Sequence, residues 1–361
     1  VDDVMKRILV TGAGGPAGIN FLVSLKIAPE KMFLVGAEAN EHYVHLVPTK
    51  RKHVIPFAAD PSYISKLNEV IEKEKIEFIH PQPDIEVKVI SENREKLAAN
   101  TFLPSKKTIQ ICQDKLESAQ VWKKHGVPVA RTFAVENERD IDRAFEELGS
   151  PLWIRARHGA GGRGSTPAEN RETAISWINY WKARKKDWQF IAQEYLGGRN
   201  IGFHSLWKEG ELVTSMARER LEYIYPHLAP SGITGTPSIQ RTIHDDKINK
   251  IGTEAVLAID QNFTGIACVD LKENNEGIPC ATEINAGRMF TTSFFFAFAS
   301  KKLLNNIFAN FPYLYVRLAY RESIPNIPKY NILPKEVYWI RHIDAPAKLV
   351  VGNKVLGTMY K

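Results

Sequence analysis

The chain has 361 residues, 44% of them hydrophobic and 25% charged, a composition that excludes a disordered protein and suits two or three packed units. The net charge of +7 favours anionic small molecules, but the basic runs Lys50-Arg51-Lys52-His53 and Arg184-Lys185-Lys186 are short and lack the aromatic interleaving of a nucleic-acid surface. Cys112, Cys268 and Cys280 are too few and too scattered for a disulfide framework or a zinc site, and the apolar cluster FFFAFA at 294–299 is too short to cross a bilayer. With charged residues ahead of the first apolar run, these features give the expectation of a soluble cytoplasmic protein that engages neither nucleic acid nor membrane.

Residues 6–103 alternate strand and helix patterns. RILVTG leads through a glycine turn at 12–18 into a helix over 16–27, and MFLVGAE follows as a strand. KHVIPF precedes a helix over 61–75, and IEFIHP precedes a helix over 85–98. Such repeats make right-handed crossovers and a parallel α/β sheet. From Gly12 the turn fits G-x-G-x-x-G/A, with Ala17 in the last place, and Glu38 stands about twenty residues on, where dinucleotide-binding folds place a ribose-binding acid. A short-chain dehydrogenase or epimerase using NAD(P) would also need Tyr-x-x-x-Lys, and no tyrosine here has lysine at that spacing.

Asp114 caps a helix that runs to Gly126-Val127-Pro128. Beyond it the texture becomes α+β: short strands ARTFAV, PLWIRAR, QFIAQEYL, IGFHSLW and ELVTSMARER, with helices near 138–148 and 170–183. The turn-rich segment 223–238 reads as a loop that could shape a substrate pocket, and a helix over about 245–260 follows. TGIACVDLKE and IPCATEINA form a hairpin, and residues 321–361 are proline-punctuated with short strand-like pieces. FTTSFFFAF, from 290, reads as core, with Thr291, Thr292 and Ser293 as candidate substrate contacts.

Three segments carry chemistry. In the hairpin, strand alternation puts Glu283 and Asn285 on one face, and pairing brings Asp270 beside them. Two carboxylates and an amide oxygen so close repel one another unless a cation sits between them, and hard oxygen donors suit Mg²⁺ shared with phosphates. In IRARHGAGGRGS, Arg155 precedes glycines 159, 161, 162 and 164, whose backbone N–H groups could cradle anionic oxygens, although no Walker Lys follows. IAQEYLGGRNIG ends an apolar strand in a segment able to offer backbone groups to a base.

Taken in order, Lys115 after its capping Asp, Arg155 before the glycine loop, Q-E-Y-L-x-G and D-x12-E-I-N resemble the ATP-grasp superfamily. The likeness is greatest to its carbamoyl-phosphate synthase large-subunit group, of the carboxylate–amine ligase type, and covers roughly residues 6–300. It implies a Rossmann-like pre-ATP-grasp domain over 1–110, a small ATP-grasp subdomain with a glycine-rich lid over 111–190, a large subdomain with the metal site over 191–325, and a C-terminal extension over 326–361. Carried over by position, Lys115 and Arg155 would contact ATP phosphates, with Gly161, Gly162 and Gly164 as the lid. Glu194, Tyr195 and Leu196 would line the adenine hinge, and Asn200 would stand where a ribose-binding Glu is usual. Asp270, Glu283 and Asn285 would hold Mg²⁺ or Mn²⁺; Arg288, one residue later than the family spacing, would reach the transferred phosphate, and Arg220 would face the acyl phosphate.

The implied activity is ATP- and Mg²⁺-dependent activation of a carboxylate as an acyl phosphate, followed by attack of an amine; both substrates would be small molecules, and a homodimer is compatible with the group. Alternatives of other classes are a carbamoyl-phosphate-synthase-like use of carbonate or carbamate, hydride transfer with NAD(P), and a catalytically silent ATP-binding protein.

Overall fold

Buried apolar runs and amphipathic helices alternate through the first hundred or so residues of this computed structural model, which describes residues 5–159, 162, 164–343, 348–352 and 354–358. Strands β1 (Arg7–Val10), β2 (Phe33–Glu38), β3 (Arg51–Val54) and β4 (Phe78–His80) form a parallel sheet in the order β3-β2-β1-β4. Helix α1 (Pro16–Lys26) opens with Pro16 in its first turn, where the missing N–H has no intrahelical partner to lose. Helix α2 (Tyr63–Glu74) buries Leu67, Val70 and Ile71 on one stripe, and α3 (Asp84–Glu92) follows β4.

The glycine turn before α1 is filled by the protein itself. The Glu38 carboxylate accepts the Gly14 N–H at 2.9 Å and the Asn40 N–H at 3.1 Å. Gly12 has φ +56°, and a Cβ there would lie 2.5 Å from Pro83; one on Gly14 would lie 2.3 Å from the Tyr43 carbonyl oxygen. The glycines therefore serve close approach, of Gly12 to the Pro83 ring and of Gly14 to the Tyr43 backbone, and the acid at the end of β2 is spent on Gly14.

Two helices bridge to the rest: α4 (Lys106–Gln113), capped by Ser105, and α5 (Lys115–Lys124), capped by Asp114. The first was not foreseen, since its eight residues hold barely two turns of apolar pattern. A small antiparallel sheet, ordered β5-β8-β6-β7, comprises β5 (Thr132–Val135), β6 (Leu152–Ala156), β7 (Thr166–Ala168) and β8 (Phe190–Glu194). It carries α6 (Glu138–Leu148), with an Asn137/Asp140 capping box, and α7 (Arg171–Ala183).

The third sheet holds β9 (Asn200–Lys208), β10 (Glu211–Tyr223), β11 (Pro237–Ile243), β12 (Gly265–Glu273), β13 (Pro279–Ala286), β14 (Val337–Ile340), β15 (Lys348–Val351) and β16 (Lys354–Thr358). Their order is β13-β12-β9-β10-β11-β14-β15-β16. Helix α8 (Asp246–Ile259) lies between β11 and β12 in sequence; α9 (Ser293–Ala299) and α10 (Phe311–Ala319) follow β13. Strand β11 overlaps the end of the segment expected to be loop, because Ser238, Gln240 and Thr242 hide a strand among polar residues. The tail supplies three further strands to this sheet.

Strand parity divides the large sheet. Ile201, Phe203, Ala217, Val269, Leu271 and Ile284 pack with Ile248, Ala255 and Val256 of α8. Leu206, Met216 and Ile266, of the opposite parity, join the aromatic core of α9 and α10 with Phe21 of α1. Further along the same strands that second face turns polar, and there the candidate site lies.

Beside the glycine turn, α3 buries Glu86, whose carboxyl is pushed up to about 7 by burial, with the charge of Glu38 adding to it. Because the folded-state value lies above the ordinary 4.5, this group's contribution is fully present below about pH 4.5 and is lost as pH rises through about 7. Unfolding free energy should accordingly fall over that interval by up to about 3 kcal/mol, and Glu86→Gln should flatten the slope. Denaturant titrations at successive pH values check this; an unchanged profile in the Gln variant would refute it.

Candidate active site

The polar face is a row that crosses strands. Asp270 on β12 stands opposite Glu283 on β13 and opposite Gly202 on β9; Gly202 in turn stands opposite Arg218 on β10. One pair along, Arg220 is opposite Asn200, and Asn200 opposite Lys272. Asn285 lies two residues beyond Glu283, opposite Cys268. Thus Asp270, Glu283 and Asn285 come together, as expected of a hairpin with this parity.

Each of the three is held by a guanidinium. Arg220 Nη2 donates to Asp270 Oδ1 at 2.5 Å, Arg155 Nη2 to Glu283 Oε2 at 2.5 Å, and Arg288 Nη2 to Asn285 Oδ1 at 2.5 Å. Arg220 must cross β9 to do so, and Gly202 makes the passage: a Cβ there would lie 3.1 Å from Arg220 Nη2 and 3.0 Å from His204 Cε1. Arg155 comes from the small sheet, so its bond to Glu283 joins two sheets. Arg288 also forms an ion pair with Asp84 of α3. Its late position in sequence thus places it between the metal-ligand candidates and the N-terminal layer.

Burial alone would push the Glu283 carboxyl up, but the charges of Lys115 and Arg155 overcome this and hold it down at about 2. Lys115, at the start of α5, is itself lowered by burial, and its Nζ donates to the Gly159 carbonyl at 2.5 Å. Asp270 Oδ2 and Glu283 Oε1 have no hydrogen-bond donor among the described residues, so each carboxylate keeps one oxygen for a cation. With the Asn285 amide oxygen, these hard donors fit Mg²⁺.

A cavity of about 190 Å³ runs from this row to the small sheet. Its far end is walled by Ala130, Trp153, Tyr195, Leu196 and Leu271. Leu196 is buried, whereas Tyr195 is half exposed, with its ring 6.3 Å from that of Trp153 and 5.5 Å from Lys272 Nζ. The Glu194 carboxylate is taken by Arg131 at 2.5 Å. Asn200 bridges the two ends, accepting from Arg220 at 2.8 Å and donating to the Tyr223 hydroxyl at 3.1 Å.

Of the glycine loop, Gly161 lies outside the described residues. Gly162, at φ +72°, approaches the Ile233 carbonyl so closely that a Cβ would lie 2.8 Å from it. The loop between β10 and β11 therefore meets the glycine loop over the cavity. Gly164 packs on Trp188, and its carbonyl accepts from Trp177 Nε1 at 3.0 Å. Residues not singled out from sequence also contribute: Asp84, Arg218 and Lys272, and Arg157, which grips both oxygens of Asp114 at 2.8 and 3.0 Å. Arg218 and Lys272 share parity with Arg220 and Asp270, which was a usable signal; Asp84 had none.

A family described as ATP-grasp domain matches residues 112–292, half of the chain, and the protein belongs to the ATP-grasp family. Among curated relatives, D-alanine–D-alanine ligase of Pseudomonas entomophila is 29% identical over 89 residues, 24% of this chain and 27% of that one. The match thus spans about a quarter of the relative's length. Among solved structures, the biotin carboxylase domain dimer of Hydrogenobacter thermophilus 2-oxoglutarate carboxylase, with MgADP, ADP and bicarbonate, has a TM-score of 0.70 at 16% identity, covering 93% of this chain and 74% of that one. N5-carboxyaminoimidazole synthetase of Staphylococcus aureus with ADP has a TM-score of 0.69 at 17% identity, covering 95% and 84%. The fold is shared with both.

The passage at Gly202 is directly testable. Gly202→Ala asks Arg220 and His204 to give by a few tenths of an ångström, whereas Gly202→Leu evicts the guanidinium from Asp270. Nucleotide-dependent turnover should stay within about three-fold of wild type for Ala and fall at least about ten-fold for Leu, the loss of a charged hydrogen bond being worth roughly 1.5–3 kcal/mol. Equal turnover in the two variants, each shown to be folded by circular dichroism, would contradict the assignment.

Proposed function

We propose that this protein is an ATP- and Mg²⁺-dependent, ADP-forming ligase that activates a carboxylate as an acyl phosphate and passes the acyl group to an amine. The observation that carries this reading is the row Asp270–Glu283–Asn285, backed by guanidinium groups and opening on a cavity with an apolar far wall. The ADP, MgADP and bicarbonate in the similar solved structures support the same substrate classes.

A carboxylate is a poor electrophile because its leaving group would be oxide. In the first step a carboxylate oxygen attacks the γ-phosphorus of ATP, the bond to the β-phosphate oxygen breaks, and ADP leaves. In the second, the amine nitrogen attacks the acyl carbon, the bond to the phosphate oxygen breaks, inorganic phosphate leaves, and the nitrogen loses a proton. Phosphoryl transfer depends on alignment and on neutralising the charge spread over the equatorial oxygens.

Mg²⁺ held by Asp270, Glu283 and Asn285 would screen the phosphate charge. Lys115 and Arg155 bind the polyphosphate from the side of the small sheet, Arg288 meets the transferred group, and Arg220 faces the acyl phosphate. Leu196, Tyr195 and Trp153 clasp the base, and Asn200 hydrogen-bonds the ribose. The glycine loop, closing against Ile233, excludes water that would hydrolyse the acyl phosphate. The protein-filled glycine turn near α1 argues against dinucleotide binding.

ADP release measured with Mg-ATP against panels of carboxylates and amines, with mass spectrometry of the products, tests the reading. Asp270→Ala and Glu283→Ala should each abolish Mg²⁺-dependent ADP release while leaving the fold intact. Full activity in both variants would overturn the metal assignment, and saturable NADH binding would overturn the class.

A further inference from the structure

Among the described residues, three guanidinium groups around the row are matched by acids and a fourth is not. Arg155 pairs with Glu283, Arg220 with Asp270 and Arg288 with Asp84. Arg218 is 2% exposed, and no carboxylate pairs with it among the described residues. Its Nη1 donates to Gln240 Oε1 and Thr292 Oγ1, both neutral, and its Nε has no partner among the described residues. Nearby polar atoms are also unmatched: Gln240 Nε2 and Ser293 Oγ are buried without a hydrogen-bond partner among the described residues. His204, stacked on Phe290 at 4.2 Å, is fully buried and held neutral by burial and by the charges of Arg218 and Arg220. It therefore supplies no counter-charge.

A buried, unpaired guanidinium is costly, and a fold tolerates one where a ligand completes it. Arg218, opposite Gly202 on β9, lines the cavity together with Thr291 and Phe290. It lies two residues from Arg220 on the same strand face, hence about 7 Å along the sheet from the arginine assigned to the acyl phosphate.

We propose that Arg218, supported by Gln240 and Thr292, is the specificity determinant for a second carboxylate on the acid substrate, so that the acid is a short-chain dicarboxylate or a derivative of one. This rests on the ligase reading, which places the reacting carboxylate beside Arg220. The guanidinium fork suits bidentate carboxylate recognition, and the spacing suits chains of roughly four to six carbons.

The test uses the full chain. Mg-ADP affinity is measured first by titration calorimetry. Absence of nucleotide binding would refute the ligase reading alone, and acid binding would then be scored on the nucleotide-free protein, keeping the two failures separate. Succinate, glutarate and adipate are compared with butyrate, valerate and caproate, and with phosphate and bicarbonate as free anions. At least one diacid should bind ten-fold or more tightly than its matched monoacid. Arg218→Met should erase that preference, leave Mg-ADP affinity within two-fold and leave the ligand-free melting temperature unchanged or higher; Arg218→Lys should fall between. Equal binding of mono- and diacids, a preference that survives Arg218→Met, or free phosphate or bicarbonate binding as well as any diacid would overturn the proposal. A lower ligand-free melting temperature in Arg218→Met with the diacid preference intact would assign Arg218 to structure instead.

Discussion

Pairing of guanidinium groups with the acid and amide oxygens of one hairpin is the constraint on which the molecule turns. Arg155 ties the small sheet to β13, Arg288 ties β13 to α3, and Arg220 ties β10 to β12 across a glycine. Three layers that share little sequence pattern are thereby registered on a few atoms. Buried ion pairs of this kind add little net stability, since desolvation offsets the Coulomb gain. Their effect is geometric: the oxygens are aimed, and the cavity between the sheets keeps its shape.

Much of this is legible in the sequence. Strand parity alone places Glu283 and Asn285 on one face, and hairpin pairing adds Asp270, because alternation and antiparallel register are local rules. Capping by Asp114 and the parallel sheet of the first hundred or so residues followed from equally local signals. What could not be read is long-range. Nothing near Asp84 announces that Arg288, some two hundred residues away, will pair with it. Gly202 sits in a plain strand pattern, and its importance depends on which side chain must pass over it. Strand β11 was hidden because its alternate positions are polar yet buried by tertiary packing, where burial overrides propensity.

The glycine loop shows the same division between local and distant information. Its composition marks it as able to approach a ligand closely. Its anchoring depends on residues far from it in sequence: Lys115 on the carbonyl of Gly159, Trp177 on that of Gly164, and Ile233 against Gly162. Family membership agrees with the local motifs, while the low identity to the similar solved structures leaves the tertiary partners, and with them specificity, to be argued from this chain's own contacts.

The glycine turn ahead of α1 has a consequence in terms of competition. Glu38 is tethered to the N–H groups it fills, so it contends for them at an effective concentration of millimolar or more, whatever the free concentration of any phosphate. A dinucleotide would have to displace a carboxylate that is already desolvated and never diffuses away. The fold thus carries its own resident inhibitor of the binding mode that its most conspicuous motif resembles.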